Sequence, residues 1–195
     1  MNESDSRIVI CGACGAKNRV PKQKADGVAK CGKCHAPISA DVPEASPSPP
    51  LVLRCSECGG KNRVPVEKLV SHPKCGKCHA PLQTQDLLTG RPITLTDREF
   101  EEKVIKSPLP VFLDAWATWC GVCKMTMPVI DQLAADWKGR IRVCRLDVDA
   151  NPLVASRFHI QSTPTALIFD KGKLMDTLVG AVPKNQIVQK MAPYL

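Results

Sequence analysis

The 195-residue sequence predicts an α/β domain, a mixed central sheet flanked by helices, preceded by two small cysteine-stapled modules. Three observations carry that expectation. All eight aromatic residues lie after position 90, while eight of the eleven cysteines lie before position 80. A segment without aromatic side chains and with few aliphatic ones cannot bury enough apolar surface to offset its conformational entropy, so residues 1–84 need covalent or metal staples. Residues 11–40 and 55–84 form a gapless internal repeat, agreeing at 17 of 30 positions. Residues 88–195, by contrast, alternate apolar strand and amphipathic helix patterns and can carry an ordinary core.

Each repeat is Cys-x2-Cys, sixteen residues, Cys-x2-Cys: Cys11, Cys14, Cys31 and Cys34, then Cys55, Cys58, Cys75 and Cys78. This spacing lets two tight turns each present two sulfurs to one tetrahedral Zn2+ ion, the arrangement of a zinc ribbon. Two zinc ribbons are therefore expected, over 1–40 and 53–84. Iron in the same four-thiolate sites is not separated from zinc by spacing. Cys31-Gly-Lys-Cys34-His35 and Cys75-Gly-Lys-Cys78-His79 also match haem attachment, but haem leaves the upstream cysteine pairs unexplained. Four thiolates already complete a tetrahedron, so His35 and His79 read as solvent-exposed or supporting residues rather than ligands.

Residues 41–52 form a linker, with four prolines between Pro43 and Pro50, and read as an extended semi-rigid spacer. The connection out of the second ribbon, residues 85–91, is shorter and places that ribbon closer to the C-terminal domain, 88–195.

In that domain, Thr96-Asp-Arg-Glu99 is a capping box that opens a helix to about Lys106. Residues 110–116 read as a buried strand and 141–147 as another. Between them Ile130, Leu133, Ala134 and Trp137 lay an apolar stripe on a helix that starts near Cys120 and kinks at Pro128. Residues 165–170 and 173–180 form a hairpin around Lys171-Gly172, and a last helix begins near Pro183.

The formal charge of +8 falls mostly on the N-terminal half, but each divalent ion held by four thiolates adds two negative charges, leaving about +4 with two sites filled. No aromatic side chain accompanies Lys17, Arg19, Lys22, Lys24, Lys61, Arg63 and Lys68 for base stacking, so nucleic-acid binding is disfavoured. Residues 1–7 are polar and the apolar run after them is three residues long, which does not read as a signal peptide. No stretch approaches the ~20 apolar residues of a membrane span. A cytoplasmic chain with reduced or metal-bound cysteines is expected.

Cys120-Gly-Val-Cys123 follows a buried strand and sits at the first turn of a helix. Free N–H groups and the partial positive charge of a helix N-terminus favour thiolate over thiol, so Cys120 reads as a nucleophile. Cys123, one turn on, reads as the resolving thiol that attacks the mixed disulfide. Cys144, mid-strand, reads as a packed thiol.

Residues 116–124, WATWCGVCK, with Asp114 six positions before Cys120, Pro128 after it, Thr163-Pro164 downstream, and Gly172 and Gly180 near the end, resemble the thioredoxin family over essentially all of 88–195. The N-terminal cysteine units make the chain similar to the zinc-ribbon thioredoxins of bacteria, the thioredoxin 2 type, here with the ribbon duplicated. The resemblance implies the thioredoxin fold and a protein-disulfide reductase that takes electrons from an NADPH-dependent thioredoxin reductase. It implies no bound organic cofactor, and no Gly-x-Gly-x-x-Gly fingerprint is present. It implies that Asp114 is the buried carboxylate beneath the dithiol, raised in pKa and acting through a water as base for Cys123. It implies that Pro164 is the cis-proline facing the dithiol. Trp119, Gly121, Val122, Thr163, Pro164, Gly180 and Ala181 would then line the surface where disulfide proteins dock.

Three residues depart from the family pattern. Val122 stands where proline is usual, which restores a backbone N–H near Cys120 and favours a more oxidising couple. Thr163 stands where isoleucine is more common, a choice seen in disulfide isomerases. Arg145 replaces a lysine near the buried aspartate and cannot lose its proton. An isomerase or oxidant variant, and a zinc-ribbon adaptor for protein or nucleic acid, are the alternatives to a reductase.

Overall fold

The computed structural model describes residues 6–10, 16–21, 29–35, 37–38 and 49–195. Cys11, Cys14 and most of the expected linker lie outside the described residues. The chain divides into two units, Met1–Ser48 and Pro49–Leu195.

In the first unit β1 (Ser6–Ile10) pairs antiparallel with β2 (Lys17–Pro21), and β3 (Ala29–Lys30) with β4 (Pro37–Ile38). The second unit opens with the same hairpin 44 positions on: β5 (Leu51–Arg54) pairs with β6 (Lys61–Val64), so the first strand begins inside the stretch read as linker. A 3₁₀ segment, Val66–Ser71, follows, which the sequence pattern did not suggest.

The second ribbon does not stand apart from the α/β domain. Leu53, Leu69, Leu82 and Leu87 bury their side chains in one cluster with Leu109, which precedes the first central strand. Burying a leucine contributes roughly 1.5–3 kcal/mol, so this shared cluster holds the two parts together. Backbone bonds cross the seam from Arg54 N–H to Pro108 O (2.9 Å) and from Gly139 N–H to Leu87 O (3.1 Å). Gly139 has φ +74°, a conformation that strains any residue with a Cβ, and Leu51 packs where that Cβ would lie. The buried Arg142 completes the seam, donating from Nη1 to Lys103 O (2.8 Å) and from Nη2 to Gln85 O (3.0 Å).

The five-stranded sheet has the order β11-β10-β8-β9-β7. β7 (Ile93–Leu95) and β8 (Val111–Trp116) run parallel to β9 (Arg142–Asp147). β10 (Thr165–Asp170) runs antiparallel to β8 and to β11 (Lys173–Val179). The short β7 was not anticipated. Alternation along β8 sends Val111 and Leu113 to one face and Phe112 and Asp114 to the other. The first face is packed by Phe100, Val104 and Val154, with Phe158 and Phe169 in edge contact at 5.2 Å between centroids. Phe100 lies on α1 (Asp97–Phe100), opened by the expected Thr96/Glu99 capping box and prolonged as a π turn over Glu101–Ile105. Val154 lies on α3 (Pro152–Arg157), a helix with Pro152 at its start that is too short for sequence periodicity to reveal.

The second face is packed by α2 (Gly121–Asp136) and α4 (Lys184–Met191) through Ile130, Leu133, Ile187 and Met191. α2 carries Pro128 in its interior and continues to Asp136. Asp114 therefore ends up under α2, and the chain leaves β8 at Trp116 to reach Cys120 at the helix start.

Candidate functional site

Cys120 is the N-cap of α2, in extended conformation, so its side chain meets the free amides of the first turn. Its Sγ accepts a hydrogen bond from the Cys123 N–H at 3.1 Å. That donor is Cys123 itself and not Val122, the residue expected to bring an amide to the sulfur. The two cysteines form a disulfide with Cα atoms 5.3 Å apart. Cys120 is 5% and Cys123 1% exposed, and both pack on Ala117, Trp116 and Val148. The outer sulfur thus borders the surface while the inner one lies beneath it.

Asp114 is 4% exposed. Burial raises its pKa from 3.8 to about 6, and the Arg145 guanidinium, with Nε 3.9 Å from Oδ2, pulls the other way. Arg145 is not committed to Asp114: its Nη2 pairs with Asp131 at 3.2 Å and donates to Met127 O at 2.7 Å, while its buried Nε has no hydrogen-bond partner among the described residues. The second carboxylate dilutes the charge that would otherwise hold Asp114 ionised.

A cavity of about 20 Å³ lies beside Asp114, walled by Thr126, Pro164, Gly180 and Ala181 among others. One water needs roughly 10–15 Å³, so the cavity has room for a single proton-carrying molecule. Thr126, on the same wall, donates from Oγ1 to Cys123 O at 2.9 Å, linking the cavity to the inner cysteine.

The Thr163–Pro164 peptide bond is cis. Pro164 O accepts from Gly180 N–H at 2.8 Å, which ties the loop before β10 to the end of β11. Gly180 has φ +86° and open space where a Cβ would be. Thr163 Oγ1 is buried and has no hydrogen-bond partner among the described residues. Trp119 is 69% exposed and its indole N–H donates to Asp149 Oδ2 at 2.8 Å. Gly121 and Val122 complete the rim, Val122 being exposed. The structure therefore gathers Asp114, Pro164, Gly180 and Ala181 around one cavity and sets the disulfide and Trp119 at the head of α2. Asp149, Thr126 and Asp131 were missed: each is an ordinary polar residue whose role comes from a partner distant in the chain or on the buried side of a helix. Cys144 is fully buried in β9, its thiol pushed up to about 12 by burial, as expected for a packed side chain.

In the second ribbon the sulfurs of Cys55, Cys58, Cys75 and Cys78 all lie within 4.8 Å of one another, with Cys55–Cys78 and Cys58–Cys75 both at 3.6 Å. Four thiolates around Zn2+ at about 2.3 Å would stand about 3.8 Å apart, so the donor set fits the ion. Asn62 braces the second turn: Oδ1 accepts from Gly76 N–H (2.9 Å) and Nδ2 reaches Cys75 Sγ (3.6 Å). Lys77 N–H donates to the same sulfur at 3.4 Å. The first ribbon repeats the brace. Asn18 Oδ1 accepts from Gly32 N–H (2.8 Å), Nδ2 reaches Cys31 Sγ (3.6 Å), and Lys33 N–H donates to that sulfur (3.4 Å). Cys31 is buried and Cys34 exposed, as are Cys75 and Cys78. His35 and His79 are exposed, at φ 57° and 60°, and their amides close the turns on Cys31 O and Cys75 O. Among the described residues, His79 is not in the four-sulfur cluster.

A family model described as Thioredoxin matches residues 91–193, and one described as Thioredoxin 2, N-terminal, a zinc ribbon, matches twice, over 10–36 and 54–80. Similar proteins include Thioredoxin 1 of Nostoc sp., 44% identical over 101 residues, covering 52% of this chain and 94% of that one. Thioredoxin of Synechocystis sp. is 43% identical over 101 residues, with the same coverages. Thioredoxin 2 of Chlorobaculum tepidum is 40% identical over 108 residues, covering 55% of this chain and 99% of that one. No helix among the described residues is long and apolar enough to cross a membrane.

Proposed function

Because the chain belongs to the thioredoxin family, whose model spans more than half of it, we propose that this thiol–disulfide oxidoreductase is a protein-disulfide reductase working through a Cys120/Cys123 dithiol. Disulfide proteins and a thioredoxin reductase are its general partners, as in the family at large; NADPH is the proposed source of electrons.

In the proposed cycle the reduced Cys120 thiolate attacks one sulfur of the substrate disulfide. A mixed disulfide forms and the first substrate thiolate leaves. Cys123, giving its proton to Asp114 through a water in the adjoining cavity, then attacks Cys120 Sγ. The Cys120–Cys123 bond closes, the second substrate thiol departs, and two electrons have passed to the substrate. The observation that carries this reading is the position of Cys120: a near-surface sulfur at a helix N-terminus, hydrogen-bonded by an amide, above a buried Cys123 and an Asp114 raised to about 6. Trp119, Gly121, Val122, Thr163, Pro164, Gly180 and Ala181 form the proposed docking surface around it.

The test is trapping. With a disulfide-bonded protein as substrate, Cys123→Ser should accumulate a mixed disulfide at Cys120, and Cys120→Ser should form none. A mixed disulfide on any other cysteine would overturn the assignment. Thr163 and Val122 support a second reading, an isomerase or oxidant, which the same trapped species would serve in reverse.

We assign two structural four-cysteine zinc sites, one in each ribbon, the second ribbon opening with β5 at Leu51 and followed by a thioredoxin domain at 88–195. The matching Asn18 and Asn62 braces support equal ribbons. Zinc, when bound, would fix each pair of hairpin turns and supply folding energy to segments poor in apolar side chains. Reduced or metal-bound cysteines persist in a reducing compartment, which supports a cytoplasmic location.

A further inference from the structure

At the seam between the second ribbon and the α/β domain lies a concave cavity of about 600 Å³. It opens beside Pro110, just before β8, whereas the disulfide lies beyond the other end of that strand, about 20 Å away for six residues. A volume of this order suits a small organic ligand.

The walls carry a concentration of positive charge. Arg54 and Lys61 stand directly opposite each other in the β5–β6 register, where like charges repel. Lys138 and Arg140 face them from the loop after α2, and Lys171 from the β10–β11 turn. Among the described residues Asp170 is the single acidic side chain on the walls, and Lys171 already holds it at 3.6 Å. Arg54, Lys61 and Lys138 make no ion pair among the described residues. Arg140 donates from Nη2 to Asp136 O, a carbonyl that leaves its charge unneutralised.

The duplication supplies an internal control. In the first ribbon the position matching Arg54 is Ile10, which pairs with Lys17. The opposed cations are thus particular to the second ribbon. Between the cations the walls carry Pro50, Pro108 and Tyr194. Four cations without carboxylate partners match the charge of a di- or triphosphate, guanidinium forks suit phosphate oxygens, and the apolar residues between them suit the organic part of such a ligand.

We propose that this seam is a binding site for an organic phosphate of nucleotide size, held by Arg54, Lys61, Lys138 and Arg140 and bridging the ribbon to the α/β domain. The ligand relieves the repulsion between Arg54 and Lys61 and joins them to Lys138 and Arg140 on the opposite wall, so its binding also tightens the seam.

Calorimetric titration of the zinc-loaded full chain with ADP tests this, with adenosine, pyrophosphate and a short single-stranded oligonucleotide as comparison ligands. The expected result is one saturable ADP site. The Lys61→Ala/Lys138→Ala double variant weakens it at least tenfold, the equally discharged Lys68→Ala/Arg98→Ala control leaves it unchanged, and both variants keep wild-type zinc content and disulfide reduction. Adenosine should not bind measurably, and pyrophosphate should bind more weakly than ADP. The proposal is overturned if ADP shows no saturable binding at millimolar concentration, or if both double variants weaken it equally. It is also overturned if pyrophosphate matches ADP, which would make the site one for inorganic anions, or if the oligonucleotide binds more tightly through the same lysines.

Discussion

Replacing Asp114 with Asn removes a buried charge and leaves the volume nearly unchanged. The carboxyl titrates at 3.8 when unperturbed and at about 6 in the folded protein, because burial penalises the ionised form more than Arg145 supports it. Moving the pKa from 3.8 to about 6 corresponds to about 3 kcal/mol. The sign follows from proton counting. Between the two pKa values the folded chain binds more protons at Asp114 than the unfolded chain, so stability falls as pH rises through that window. Below 3.8 the group is protonated in both states and costs nothing; above about 6 the full cost is present. Asp114→Asn should therefore leave stability unchanged at the acid end and raise it by about 3 kcal/mol near neutral pH. Denaturant unfolding of the oxidised protein, wild type against variant, across this range measures the difference. The same variant should slow closure of the Cys120–Cys123 bond by about 10²-fold, the scale of a lost general base. A stability difference that does not change with pH would refute the account of Asp114 as a buried, charge-frustrated carboxyl.

Other expected outcomes concern the parts around it. Cys75→Ser should lower the metal content from two zinc ions per chain to one by elemental analysis, and should also lower the unfolding midpoint of the α/β domain, because Leu109 and Arg142 join it to the ribbon. Leu109→Ala, in the shared cluster, should cost about 2–5 kcal/mol in denaturant unfolding while leaving metal content intact. Asp149→Ala removes the acceptor of the exposed Trp119 indole; stability should change by less than about 1 kcal/mol, and KM for a disulfide protein should rise while kcat holds.

Features written in local spacing are legible in the sequence. The Thr96/Glu99 capping box is one, because both partners lie within a single turn. The ribbon turns and the dithiol at the head of α2 are others, since Cys-x2-Cys fixes their geometry within four residues. What escaped depends on contacts between distant segments. Leu109 looks like an end-of-loop leucine until it meets Leu53 and Leu87. Arg142 reads as one more strand cation until its guanidinium spans Lys103 and Gln85. Asp149 gains a role only because Trp119, 30 residues earlier, turns toward it. α3 and β7 are too short for periodicity to reveal them. The resemblance located Asp114, but the sharing of Arg145 with Asp131, which bears on the carboxyl's pKa, follows from side chains on different elements.

In the proposed cycle Cys120 and Cys123 exchange two electrons with disulfides in the reducing direction. Equilibrating the protein with thiol–disulfide buffers of defined potential and quantifying both cysteines by alkylation tests it directly, with Cys123→Ser as control. A single two-electron transition at about −270 mV, lost in the variant, is expected. A transition near about −180 mV would assign the chain to isomerisation, and the absence of any two-electron transition would contradict the oxidoreductase reading itself.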